Sequence, residues 1–222
     1  MHDSVRGLTE VLRPPVSGGD QVDWDAVSSE VGFTFPSDYR DFMNVYGGGS
    51  LDNFLEIFSL ERNFEEWKAE CEFAPSMFDD DGSGHASASP LPTRPGAGGM
   101  VLWGISAGPD FCFWDATGSD PDRWPVSVFS RAEDTWYQYR CGMVAFLHGL
   151  LNGSIESRFN NASFPSPHPV FLNGRDEKFL YSREVDVAYY FGSDSESRRV
   201  VEQCLAAGLN PVDFFQSASR FL

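Results

Sequence analysis

Apolar residues fall at helical spacing in several stretches and in strand-like runs in others. Trp24, Val27 and Val31 recur along Asp23 to Gly32, with Asp23 placed to cap and Gly32 to end a short amphipathic helix. Pro36 opens a second helix whose Tyr39, Phe42, Met43 and Tyr46 line one face, and Gly47-Gly48-Gly49 stops it. Phe54 to Phe58 reads as a strand, and Leu60 to Cys71, with Phe64 and Trp67, as a third helix rich in acids. Four further runs read as strands: Met100 to Ser106, Asp110 to Asp115, Trp124 to Ser130 and Thr135 to Cys141. The connections between them are short, which predicts antiparallel hairpins. Met143, Phe146, Leu147, Leu150 and Leu151 then form a helical stripe that closes the unit against the sheet. The pattern therefore predicts an α+β fold, a mainly antiparallel sheet covered by helices, over residues 20–152.

Three regions depart from that pattern. Residues 1–19 form an N-terminal segment. From Ala74 to Gly99, 13 of 26 residues are Gly, Pro or Ser, which predicts a long mobile loop. Phe164 to Pro169 is punctuated by three prolines and introduces a C-terminal α/β extension, residues 153–222, of unknown role. Within it Tyr181 and Val185 to Phe191 look like strand, a helix starts at Asp194 or Ser195 and runs through Ala207, and a last helix follows Asn210-Pro211.

Charge sharpens the division. The chain has a formal net charge of -17; residues 1–152 hold 9 Lys+Arg against 24 Asp+Glu, and residues 153–222 hold 7 against 9. So acidic a protein is repelled by phosphate backbones and anionic lipid, so no nucleic acid and no membrane is expected as partner. A protein with a basic surface is favoured. No window approaches a membrane span, and Met1 to Glu10 lacks the apolar run of a secretory signal, so a cytoplasmic location is expected. Cys71, Cys112, Cys141 and Cys204 are widely spaced, as free thiols would be.

Tested for chemistry, the residues favour binding. Asp79-x-Asp81-x-Ser83-Gly84 matches the first half of a calcium loop, but Pro90 stands where the bidentate Glu belongs. His2, His85, His148 and His168 are scattered without metal-ligand spacing. There is no Gly-x-Ser-x-Gly elbow, no Cys close to a His, and Gly96-x-Gly98-Gly99 precedes a strand instead of following one. Asp110 and Asp115 lie at odd separation on one strand and point to opposite faces. No metal, no cofactor and no catalytic residue is expected. What stands out is acid: Glu61, Glu65, Glu66, Glu70, Glu72, Asp79, Asp80 and Asp81 crowd into 21 residues, opposed there by Arg62 and Lys68 alone. Such a cluster is either a solvated helix face or a docking face for a cationic partner, with Phe64 and Trp67 as buried anchors or exposed contact residues.

The order of these signals resembles the SUKH superfamily. Trp24 and Gly32 in a first helix, Phe35-Pro36-Ser37-Asp38-Tyr39-Arg40-Asp41-Phe42, Tyr46-Gly47-Gly48-Gly49, Leu55-Glu56-Ile57, Trp103-Gly104 and Asp110 to Asp115 carry the likeness, over about residues 20–152. That group takes in the yeast Smi/Knr cell-wall regulators and many bacterial immunity proteins. The resemblance implies an α+β domain that binds and neutralises a toxin domain, often a nuclease or deaminase. The alternative it leaves open is a regulatory scaffold of the Smi/Knr type that binds an endogenous partner. It implies no catalytic residues, and residues 153–222 lie beyond it.

Overall fold

The computed structural model describes residues 1–78, 89–92, 94–182, 202, 203 and 207. In chain order these form α1 (Asp3–Val11), α2 (Trp24–Val31), α3 (Ser37–Val45), β1 (Gly49–Leu51), β2 (Leu55–Ile57), α4 (Phe64–Ser76), β3 (Met100–Ser106), β4 (Phe111–Asp115), β5 (Val126–Ser130), β6 (Thr135–Tyr139), α5 (Met143–Leu151), β7 (Phe171–Asn173) and α6 (Gly174–Ser182). The strands make one seven-stranded sheet in the order β6-β5-β4-β3-β2-β1-β7. Every strand pairing in it is antiparallel. The expected α+β architecture is the one observed.

Local chemistry explains the elements that the pattern predicted. The Asp23 carboxylate caps α2 through the Ala26 N–H at 3.0 Å, and Gly32 ends it with a left-handed φ of 79°. Pro36 precedes α3, whose Tyr39, Phe42 and Met43 are buried. They pack on the sheet face that carries Trp114: the Tyr39 and Trp114 rings meet edge to face at 4.8 Å. From α5, Phe146 reaches Trp103 and Tyr139 on the same side. The opposite face collects Phe111, Phe113, Phe129 and Trp136 around Phe78. Both faces of the central strands are therefore buried, which is why β3 to β5 read as nearly continuous apolar runs.

Other elements differ from the sequence reading. Residues 1–19 contain a helix, α1, whose Val5 and Leu8 are fully buried. The third helix begins four residues later than expected, because Ser59 to Asn63 form a turn in which Ser59 Oγ accepts the Arg62 N–H. It also runs further, through Pro75, and buried Phe78 follows it, so the first residues of the expected 74–99 loop belong to the core. Of that loop, residues 79–88 and 93 lie outside the described residues, and Leu91, within its described part, is buried. Tyr181, expected in a strand, sits exposed in α6. The strand expected at Val185 to Phe191 and the two final helices fall on residues that, apart from 202, 203 and 207, are outside the described ones.

Residues 153–182 are built into the sheet. β7 pairs with β1 through Gly49 with Asn173, Ser50 with Leu172 and Leu51 with Phe171. Asp52, at a left-handed φ of 54°, uses its carboxylate to accept N–H groups of Ser166 at 2.8 Å and Val170 at 2.9 Å, which turns the chain into β7. Phe159 and Phe164 pack against Phe54.

Candidate functional site

The acid-rich helix α4 sits where the sheet is incomplete. β2 pairs with β3 only from Gly104 to Ser106, so among the described residues Val101 and Leu102 have no strand neighbour on that side. α4 fills the gap. Trp67, Cys71 and Ala74 face inward, and the Trp67 indole donates its Nε1–H to the Leu102 carbonyl at 2.8 Å. The Cys71 thiol approaches the same oxygen at 3.7 Å. Trp67 is thus a buried anchor, and half-buried Phe64 stacks on it with ring centres 5.7 Å apart.

The outer face carries the charge. Glu65, Glu66 and Glu72 are exposed and Glu70 is half-buried. Lys68 answers part of it: its ammonium pairs with Glu65 at 2.9 Å, bonds Glu30 of α2 and lies over the Phe64 ring. Those carboxylates, Glu30 first, raise the Lys68 pKa. Glu66 accepts from the Asn63 amide at 2.7 Å. Glu61 stands apart, ahead of the helix, where its carboxylate accepts the Gln21 N–H at 3.0 Å and lies 3.7 Å from Arg175. Asp79, Asp80 and Asp81 lie outside the described residues.

Two features of this surface went unread in the sequence. Phe73 is 58% exposed and Met77, one turn on, 36% exposed, so an apolar pair stands among the glutamates. Its signal was there: Phe73 and Met77 are out of phase with Trp67, Cys71 and Ala74 on a 3.6-residue helix. The second feature is a trough of about 320 Å³ over β1 and β2, where Glu56 from the sheet and Glu177 from α6 face Arg62 and Lys178. Partial desolvation raises the Glu56 carboxyl pKa, and Glu66 and Glu177 push the same way. The acidity of α4 therefore continues across β2 to α6. On the other flank a cleft of about 250 Å³ between α2 and α4 has Phe33, Trp67 and Val101 in its wall and Glu30, Lys68 and Glu72 beside them.

A buried carboxylate holds the turn before α4. Asp20, fully buried, accepts from the Gly48 N–H at 2.9 Å, the Ser59 hydroxyl at 2.7 Å and the Arg175 guanidinium at 3.0 Å, with Arg62 at 3.6 Å. Gly47, at φ 72°, passes so close that a Cβ there would stand 2.8 Å from the Asp20 carboxylate. These contacts tie the strand β1, the turn into α4 and the start of α6 to one group.

For catalysis the same residues are poorly disposed. Burial pushes the Cys71 and Cys112 thiols up, which keeps them protonated at neutral pH. Asp110 is fully buried and spends its oxygens on the Ser106 hydroxyl and the Arg131 and Asn160 N–H groups. Among the described residues no group of three or more His, Cys, Asp and Glu is arranged to hold a metal ion, and no helix is long and apolar enough to cross a membrane.

Comparison with known proteins places the chain by sequence. No curated protein and no solved structure matches it. The sequence model of the SMI1 / KNR4 family (SUKH-1) matches residues 18–140, more than half of the chain, and spans α2 to β6, including the α4 surface just described. The chain belongs to the SMI1 / KNR4 (SUKH-1) family.

Proposed function

We propose that this protein is a cytoplasmic, non-catalytic immunity protein that neutralises a toxin domain with a basic surface, a nuclease or deaminase, by covering its active cleft. Family membership supports an immunity or Smi/Knr type of protein that works through a protein partner. The observation that carries the finer reading is the outer face of α4, where Glu65, Glu66, Glu70 and Glu72 surround the exposed pair Phe73 and Met77. A cationic cleft meant for nucleic acid presents the complementary charge. An exposed aromatic amid that charge supplies a contact that excludes water, the usual centre of a binding surface.

The test is kinetic. A pull-down from the native cell with mass spectrometry identifies the partner, and the complex is then measured at two salt concentrations. With Glu65, Glu66, Glu70 and Glu72 all changed to Lys, association slows by more than tenfold at low salt and loses its salt dependence. Phe73→Ala acts mainly on dissociation. The folded state survives, since exposed charges contribute about 0–1 kcal/mol each. An unaltered association rate would sink the α4 face as the docking surface. Capture of an endogenous partner without toxicity would favour the regulatory scaffold.

A further inference from the structure

The cleft between α2 and α4 combines two kinds of surface. Its wall is apolar, with half-buried Val31 and Phe33 at and just beyond the end of α2, buried Trp67 and Cys71 from α4, and buried Val101 from β3. Its mouth is charged, with exposed Glu30 and Glu72 and half-buried Lys68. At about 250 Å³ it is smaller than the roughly 300–1,000 Å³ of small-molecule sites, a size that suits one long side chain. The surface beside it already holds one cation against a ring and two carboxylates. The Lys68 ammonium lies 4.9 Å from the centre of the Phe64 ring and pairs with Glu30 and, at 2.9 Å, with Glu65. The other ring and the other carboxylate have no such cation: among the described residues none lies over Phe33 and none pairs with Glu72. Burial raises the Cys71 thiol pKa and Glu70 and Glu72 raise it further, so their field reaches the wall of the cleft.

We infer that this cleft is a pocket for an arginine side chain of the basic partner, which lays its guanidinium on the Phe33 ring and bonds the Glu30 and Glu72 carboxylates. The inference rests on the reading of α4 as the docking face and names what that face selects. Charge complementarity chooses a cation, because Glu30, Glu65 and Glu72 outweigh Lys68 at the mouth. The apolar wall chooses a side chain with a long aliphatic stem, which it covers while the charged head reaches the carboxylates. The aromatic wall chooses arginine over lysine. A guanidinium is planar and weakly hydrated, so it stacks on a ring while its donors point outward in its own plane, whereas an ammonium is a compact charge that holds its water. The cleft shares Glu72 with the outer face of α4, so a partner seated on that face brings its side chain to the mouth.

Titration of the full chain with N-acetyl-arginine amide, followed by backbone amide chemical shifts in NMR, tests the pocket without any partner. Saturable shifts are expected at Glu30 to Phe33, Lys68 to Glu72, Gly96 and Val101, with a Kd on the order of 1 mM. N-acetyl-lysine amide should bind about fivefold more weakly. Phe33→Leu keeps the wall apolar and removes the ring, so the two probes bind it alike. Glu30→Gln, at an exposed position, weakens both by about threefold. Circular dichroism verifies that each variant is folded. In the complex with the captured partner, changing the inserted arginine to lysine costs about fivefold in affinity against the wild type and nothing against Phe33→Leu. An arginine probe that shifts none of these residues, or arginine and lysine probes that bind the wild type alike, would overturn the pocket even where the fourfold Lys variant proves α4 to be the docking face. Arginine preference that is lost in Phe33→Leu upholds the pocket even where that variant leaves association unaltered.

Discussion

Single buried carboxylates hold distant parts of this protein together, and Asp38 is the most instructive. It lies in the first turn of α3, yet its carboxylate accepts the Val144 N–H at 3.2 Å and so caps α5 from 106 residues away. Gly142 permits the approach, since a Cβ there would meet Asp38 Oδ2 at 2.6 Å. Desolvation raises the Asp38 pKa, and the N–H bonds from Val144 and Tyr39 offset only part of that. The folded state therefore holds this proton more tightly than the unfolded chain does. The resulting stability is complete below the ordinary carboxylate value and is lost as pH rises through the elevated one. Asp38→Asn removes that loss. Denaturant midpoints measured from acid to neutral pH should fall less with rising pH in the variant than in the wild type, while Asp176, raised by the same cause, keeps its own contribution. Equal slopes would show that Asp38 does not titrate in this way. In sequence Asp38 reads as an ordinary first-turn acid, because nothing local to it announces Val144.

At the scale of elements, α4 does the work of a missing strand. Side chains replace main-chain pairing there, with the Trp67 indole N–H serving the Leu102 carbonyl that β2 is too short to reach. Trp67→Phe keeps a ring in the core and deletes that donor. It should cost about 1–3 kcal/mol, the penalty of an unsatisfied buried carbonyl, with helix content unchanged. Urea titration beside circular dichroism measures both, and a loss below about 0.5 kcal/mol would mean that Cys71 or water satisfies Leu102 instead. The existence of this helix was legible from Phe64 and Trp67. Its bounds were not, because Leu60 to Asn63 also suit a helix until Ser59 and Asp20 bind the turn. The outward glutamates were equally plain, but which of them are engaged depends on neighbours such as Glu30 and Arg175.

For the whole molecule, the sheet does not stop where the family match does. β7 and Arg175 come from beyond residue 140, and with them go one edge of the sheet and a partner of buried Asp20. A chain ending at residue 152 would expose β1, free the Asp52 carboxylate and leave Asp20 with Arg62 as its remaining cation. Its stability should drop by about 3–5 kcal/mol, the cost of removing one partner from a buried ion pair. Chemical denaturation of the shortened and full chains compares them directly. An unchanged midpoint would instead establish residues 1–152 as self-sufficient, with the boundary at 152 that the charge asymmetry and the proline run suggest.

Local pattern was enough for α2, α3, α5 and the strands β3 to β6, because each spans at least one full period of its repeat and is bounded by Gly, Pro or a capping Asp. It was enough for the family too, whose landmarks are those same elements. Only the tertiary structure decided the rest. β1 and β7 are three residues each, too short to show alternation, and exist because each satisfies the other's backbone. Val5 and Leu8 mark α1, but in so polar a segment the stripe carries meaning only once a core lies against it. The outward turn of Phe73 and the engagement of exposed Glu61 with Gln21 and Arg175 follow from packing at long sequence separation, since residue type sets what a side chain can bind and the fold sets what it meets.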